Sequence, residues 1–386
     1  MKSKRKICYI TGTRADYGMM RNALKEINKK FDLSLIVTGM HLASEFGKTA
    51  EEIKRDGFKI GKKVNALFPK EDTGTAMAEA LGAGIIGITR AIKSIKPDII
   101  LVLGDRAEAL AGAIAGAHAN IPIAHIHGGD QGDDGAHIDD LTRHAITKFS
   151  HIHFAATKQS ANRIIKMGEE SWRVYVTGSP ALDDIIAQKL YSKKYIEKKY
   201  HLSLRRPLFL VIQHSTPSQM DQAAGQIKET LEALKELNEQ TVLIYPSSDA
   251  GGRRMIKVIN KYEKYDFLKT FKSLPRREYL SIMKYASVMV GNSSSGSIDS
   301  SSFKLPAVNI GTRESIREHG GNKIFVGHDR SEIKKAINKA LFDKKFRQRV
   351  QNCRNPYGDG KCGIRVAKVL QNIKINRRLL TKRLTY

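Results

Sequence analysis

The sequence predicts an α/β chain: two doubly wound parallel sheets in tandem with a ligand cleft between them. Three observations carry this. Apolar runs of strand length alternate with amphipathic helical patterns from end to end, as βαβ units require. A polar, basic stretch, QKLYSKKYIEKKYHLSLRR (188–206), closed by Pro207, interrupts the alternation before it resumes. Loops rich in Gly, Ser, His, Asp and Arg follow the strands, at the carboxyl ends where ligands bind in such sheets.

In the first half the expected strands are 7–11, 33–38, 99–103, 121–127, 152–156 and 174–177. Tyr17, Met20, Leu24 and Ile27 recur at helical spacing after the first strand. Met77, Leu81, Ile85, Ile88, Ile92 and Ile95 do so before the third. In the second half the expected strands are 208–213, 242–245, 267–271, 288–290, 307–310 and 324–326. The boundary falls near 184–207, giving a first domain of residues 1–185 and a second of 186–365. At 386 residues the chain exceeds one compact core. The tail KINRRLLTKR (374–383) reads as a basic amphipathic helix.

Composition narrows the function. Hydrophobic residues at 41% with 27% charged describe a soluble globular protein, and the longest apolar runs are strand-sized, so no membrane partner is expected. The basic start MKSKRKICYIT flows into a motif and reads as a first strand, not a signal peptide. Cys8, Cys353 and Cys362 lack metal or redox spacing, which suits a reducing cytoplasm. A net charge of +27 raises nucleic-acid binding as a rival. Lys and Arg are nevertheless spread through the chain with no aromatic-interleaved platform, so nucleic acid is not the expected partner. Gly82-Ala83-Gly84-Ile85-Ile86-Gly87 matches G-x-G-x-x-G but sits inside a helical pattern without a preceding strand. NAD is therefore discounted, and the glycines are assigned to close helix packing.

Five loop motifs offer chemistry. MVGNSSSGSID (289–299) leads a strand into Ser294, Ser295 and Gly296, donors for an anion, with Asp299 opening a helix within reach of a ribose diol. GTRADYG (12–18) places Arg14 in the first βα loop. LGDR (103–106) ends an apolar strand with Asp105, a carboxylate that is costly there unless paired or useful. HIHGGD (125–130) offers His125 and His127 on one strand face and then Asp130, with Asp133, Asp134, His137, Asp139, Asp140, Arg143 and His144 downstream. His151 and His153 are read as core histidines. That richness admits a metallohydrolase, but no H-x-x-x-H or H-E-x-x-H helix is present, so no metal and no cofactor are assigned. His214 after the first strand of the second half mirrors Arg14 in the first, and Arg313 in GTR (311–313) could close over a pyrophosphate.

Taken together, GTRADYG, LGDR, HIHGGD with IDDLTRH, GNSSSG and VNIGTR resemble the hydrolysing UDP-N-acetylglucosamine 2-epimerases of sialic-acid and related nonulosonate pathways, over residues 6 to 330 in order. The resemblance implies two Rossmann-like domains in a glycosyltransferase-B-like arrangement, a C-terminal helix (366–386) crossing back onto the first domain, and a homodimer. It implies a nucleotide-sugar substrate, UDP-N-acetylglucosamine, converted to N-acetylmannosamine and UDP by anti elimination through a 2-acetamidoglucal, then hydration. A UDP- or GDP-linked diacetylbacillosamine is the alternative substrate, and a glycosyltransferase a further one. Asp105, Asp130, Asp139, His127 and His214 are the implied catalytic groups. Arg14, Asp140, Arg143, Ser294, Ser295, Gly296, Asp299 and Arg313 are the implied substrate-binding groups. The chain departs from the family pattern in three places. Asp130 stands where Glu is usual after HGG, Asp299 where Glu is usual after SSSG, and Ser-Thr-Pro-Ser follows His214.

Overall fold

A computed structural model describes residues 4–43, 49–66, 71, 73–131 and 138–386; Asp133, Asp134 and His137 lie outside them. The first sheet is parallel throughout and runs β3-β2-β1-β4-β5-β6-β7. Its strands are β1 (Lys6–Thr11), β2 (Asp32–Thr38), β3 (Ile60–Val64), β4 (Ile99–Leu103), β5 (Ile123–Ile126), β6 (Ile152–Ala155) and β7 (Val174–Val176). The second, also parallel, runs β10-β9-β8-β11-β12-β13. It contains β8 (Leu208–Ile212), β9 (Gln240–Ile244), β10 (Leu268–Phe271), β11 (Val288–Gly291), β12 (Ala307–Ile310) and β13 (Lys323–Val326). In each sheet the winding reverses between the two central strands, β1 and β4 in one, β8 and β11 in the other. Loops leaving those strands diverge and open a crevice.

Central strands such as β4 and β8 are buried at every position, so they read as unbroken apolar runs. β3 has the sequence IGKKV and two exposed lysines on the sheet edge, so it carries no apolar run and escaped the sequence reading. The helix Arg14–Lys30 begins with a reciprocal capping box between Thr13 and Asp16 and ends on Lys29 and Lys30, which complements its dipole. Helices Pro180–Ala187 and Lys193–Tyr200 occupy the stretch between the sheets, and Ile196 and Tyr200 pack into the second sheet's core.

The G-x-G-x-x-G decoy lies within the helix Gly74–Ile95. A side chain at Gly87 would meet Val64 Cγ1 at 2.4 Å, which is close packing, whereas Gly82 faces open space. This helix is long and apolar enough to cross a membrane by length and composition, contrary to the reading that apolar runs are only strand-sized. It packs on the first sheet through Ile88, Ala91 and Ile92.

The tail needs correction. The helix that returns to the first sheet is Cys362–Asn372, and Val366, Ala367 and Leu370 sit in the core beside Leu24. Residues 374–383 are not one helix; only Arg377–Leu380 makes a turn. Arg173 explains this by taking the carbonyls of Arg378, Leu379 and Thr381 at 2.7 to 2.9 Å, oxygens a continuing helix would need for itself.

Candidate active site

A cavity of about 260 Å³ opens between the carboxyl ends of the two sheets. Arg14, Asp105 and Asp139 line it from the first half; His214, Ser294, Ser295 and Arg313 line it from the second.

The loops deliver these groups for local reasons. After β1 the chain turns at Gly12, where any side chain would strike the Glu108 carboxyl at 2.3 Å, and the Thr13–Asp16 box starts the helix with Arg14 as its first residue. Asp16 is occupied there, accepting from the Gly12 and Thr13 amides at 2.9 and 3.0 Å. Arg14 therefore pairs with Glu52 at 2.9 Å and reaches Ser273 Oγ of the second half at 2.9 Å. Burial pushes the Asp16 carboxyl up to about 7 against the pull of Thr11 and Gly12.

Asp105 caps no helix. Its carboxylate pairs with Arg143, a buried guanidinium that also holds Asp140 at 2.5 Å and the Asp130 carbonyl at 2.8 Å. Asp105 keeps 24% of its side chain exposed while Asp140 keeps 2%, so Asp105 faces the cavity and Asp140 anchors behind it. Asp139 meets Arg313 Nη2 across the cleft at 2.7 Å.

His214 is held by its surroundings. Its backbone exchanges two hydrogen bonds with the Asn292 amide, at 2.7 and 2.9 Å, and its Nδ1 accepts from the Ser247 N–H at 3.0 Å. That acceptance leaves the neutral ring's proton on Nε2, the donor a departing oxyanion needs.

Several expected groups are placed elsewhere. His127 lies past the end of β5 with φ +63°, so it does not share a strand face with His125. His125 Nε2 meets the Gly104 carbonyl at 2.7 Å, and burial lowers its pKa to about 3, which leaves it a neutral core residue. His127 Nδ1 meets Asp130 at 2.8 Å and its Nε2 meets Ser179 Oγ at 2.9 Å. Burial pushes the Asp130 carboxyl up, but His127, Arg317 and Ser160 together hold it below the usual range. The pair is 5% and 2% exposed and stands behind the cavity wall.

Asp299 ends the short helix Ser295–Ile298 and is the N-cap of the 3₁₀ turn Ser300–Phe303, with no side-chain capping bond. Both its oxygens accept from Arg276, at 2.9 and 3.2 Å. The helix has only four residues, so the turn offers serine hydroxyls and local N–H groups rather than a helix dipole. Gly296 is buried beneath that turn, outside the lining. Among the described residues no cluster of three or more His, Cys, Asp or Glu could hold a metal.

Sequence reasoning missed Arg106, Arg276 and Ser247 on the cavity wall and Arg317 behind it. Arg106 was within reach as the last residue of LGDR. Nothing local marks Arg276, whose partner Asp299 is 23 residues away, whereas Arg317 pairs with Glu314 three residues before it at 2.7 Å and reaches the distant Asp130 at 3.5 Å.

Arginines, serine hydroxyls and paired carboxylates line the cavity between two doubly wound sheets, a lining suited to an anionic ligand. Comparison with known proteins gives the family. The family model described as UDP-N-acetylglucosamine 2-epimerase matches residues 22–371. The chain is 38% identical to the hydrolysing UDP-N,N'-diacetylbacillosamine 2-epimerase of Legionella pneumophila, over 98% of each chain. It is 35% identical to the UDP-N-acetylglucosamine 2-epimerase of Neisseria meningitidis, over 89% of each. The crystal structure of a UDP-GlcNAc 2-epimerase from Neisseria meningitidis bound to UDP-GlcNAc superposes with TM-score 0.80 at 19% identity, covering 95% of this chain and 100% of that one. The chain belongs to the UDP-N-acetylglucosamine 2-epimerase family, and within it to the hydrolysing sugar-nucleotide 2-epimerases.

Proposed function

We propose that this enzyme hydrolyses and epimerises a UDP-linked 2-acetamido sugar, with N,N'-diacetylbacillosamine as the sugar. The observation that carries the chemistry is the cavity itself, where Asp105, Asp139 and His214 face cationic and hydroxyl donors suited to a diphosphate. A base takes the proton from C2, its electron pair forms the C1=C2 bond, and the C1–O bond breaks toward UDP. Water then adds across the double bond, hydroxyl to C1 and a proton to C2 from the opposite face, so substrate plus water gives the free 2-epimer plus UDP. Asp105 and Asp139 are the proton-transfer pair. His214 donates from Nε2 to the leaving oxygen, and Arg14, Arg313 and Ser294 hold the diphosphate. Arg143 and Asp140 orient Asp105, while the His127–Asp130 pair stiffens the β5 loop from behind.

The 38% identical full-length relative supports the diacetamido sugar. The 35% identical Neisseria relative favours UDP-N-acetylglucosamine as the second reading. The test is kcat/KM for UDP release with each nucleotide. A preference of at least about tenfold for the diacetamido sugar, a 1.4 kcal/mol difference, is the expected result; the reverse preference installs the second reading. Ser294→Ala should weaken UDP binding about three- to tenfold, as loss of one hydroxyl donor to a charged acceptor implies, with a smaller change in kcat. Calorimetry with UDP checks this, and unchanged affinity would move the diphosphate off the serine turn.

A further inference from the structure

The edge strand β13 begins with Lys323, at a place where a lysine ordinarily keeps its ammonium in water. Lys323 is instead 4% exposed, and its side chain runs inward beneath the serine turn. Its Nζ donates to Ser297 Oγ at 2.8 Å and to the Glu314 carbonyl at 3.2 Å. Ser297 donates in turn to the Glu314 carboxylate at 3.3 Å, and Arg317 pairs with that carboxylate at 2.7 Å.

These partners belong to the two segments of the second half assigned to the diphosphate. Ser297 stands two residues beyond Ser295, and Glu314 directly follows Arg313. Ser294, Ser295 and Arg313 line the cavity, while Ser297, Glu314 and Lys323 are buried behind them. Lys323 therefore joins the two segments from the back, and a buried cation there is weakly screened. The charged and titratable groups facing it are Glu314 and Arg317, and His319 farther along the same loop. The helix Ser295–Ile298 presents the Ser297 hydroxyl, and the Phe325 ring centroid of β13 lies 5.1 Å from Nζ. Burial lowers the Lys323 pKa to about 8; Glu314 draws it back up and Arg317 pushes it further down.

We propose that Lys323 is a positioning residue for the nucleotide: its buried ammonium fastens the serine turn to the Arg313 loop and places a positive charge behind them, so that the two segments receive the diphosphate as one site. The proposal rests on the reading of the chain as a hydrolysing 2-epimerase of a UDP-linked sugar. Lys323 acts through Ser294, Ser295 and Arg313 and touches no substrate itself. A bound diphosphate favours the ammonium over the neutral amine, which gives the affinity a pH dependence of definite sign. Below about 8 the ammonium is present with or without nucleotide, and affinity is level. As pH rises through about 8 the free enzyme loses that proton, binding has to restore it, and affinity falls.

Calorimetric titration with UDP from about pH 7 to about pH 9 tests this. Wild-type affinity should fall about tenfold across the range, with proton uptake at its upper end, read from buffers of different ionisation heat. Lys323→Met fills the same space without charge. It should bind UDP about tenfold more weakly at neutral pH, with level affinity and without that uptake. Its KM for the sugar nucleotide should rise by more than its kcat falls. Lys323→Gln, which returns a donor to Ser297 but no charge, should recover part of the affinity and none of the pH dependence. Variants that follow the wild-type curve would overturn the proposal, and so would a wild type whose affinity is level across the range. Failure to bind UDP and to turn over either sugar nucleotide would overturn the functional reading. UDP binding and turnover without the pH difference would overturn the role of Lys323 alone.

Discussion

An Asp105→Asn variant is expected to lose about a thousandfold in kcat, the usual scale for removing a proton-transfer group, while UDP affinity stays within about twofold of wild type. The reasoning begins with β4, an entirely buried strand whose end delivers Asp105 after Gly104, a residue with φ +72°. Arg143 grips the carboxylate from behind, and about a quarter of the side chain remains exposed, at 24%. Asparagine keeps the size and an oxygen for Arg143 but cannot take a proton. Arg143 would still hold Asp140 and the Asp130 carbonyl, so no buried charge is abandoned and the fold should survive. UDP release measured beside thermal unfolding checks both halves of the prediction. Turnover near wild type would remove Asp105 from the proton-transfer pair.

A Gly291→Ala variant is expected to lose on the order of 4 kcal/mol of stability, from backbone strain and overpacking together. Gly291 ends β11, between β8 and β12, with φ +125°, a conformation L side chains rarely adopt. A Cβ there would lie 2.0 Å from the Ile212 carbonyl oxygen, an atom fixed in β8 that cannot move aside. The damage would reach the site, since Asn292 follows immediately, donates to the same carbonyl at 3.1 Å and clasps the His214 backbone. Denaturant unfolding is the check. A loss below about 1 kcal/mol would show that the two strand ends separate more easily than their register implies.

Much of this molecule was legible in the sequence because its central strands are buried on both faces and its site sits where those strands end. β1, β4, β8 and β11 declared themselves as apolar runs, and the residues just beyond them, Arg14, Asp105, His214, Ser294 and Ser295, do line the cavity. What was not legible is the set of partners that come from far away in the chain. Asp130 and His127 carry an active-site pattern, yet Ser179, Ser160 and Arg317 enclose them behind the wall. Asp299 follows the serine turn, and its partner is Arg276, 23 residues earlier. The tail has a helical pattern that three hydrogen bonds from Arg173 override. β3 is an edge strand with polar residues, and local pattern gives it no signal.

Proton NMR of the purified enzyme with each sugar nucleotide in heavy water, followed over time, tests the central claim most directly. The expected result is free 2-epimerised sugar carrying deuterium at C2, appearing together with UDP. Released sugar that keeps its C2 proton would mean simple hydrolysis, and an epimer still attached to UDP would mean non-hydrolysing exchange. Either result would contradict the elimination and hydration assigned to Asp105, Asp139 and His214.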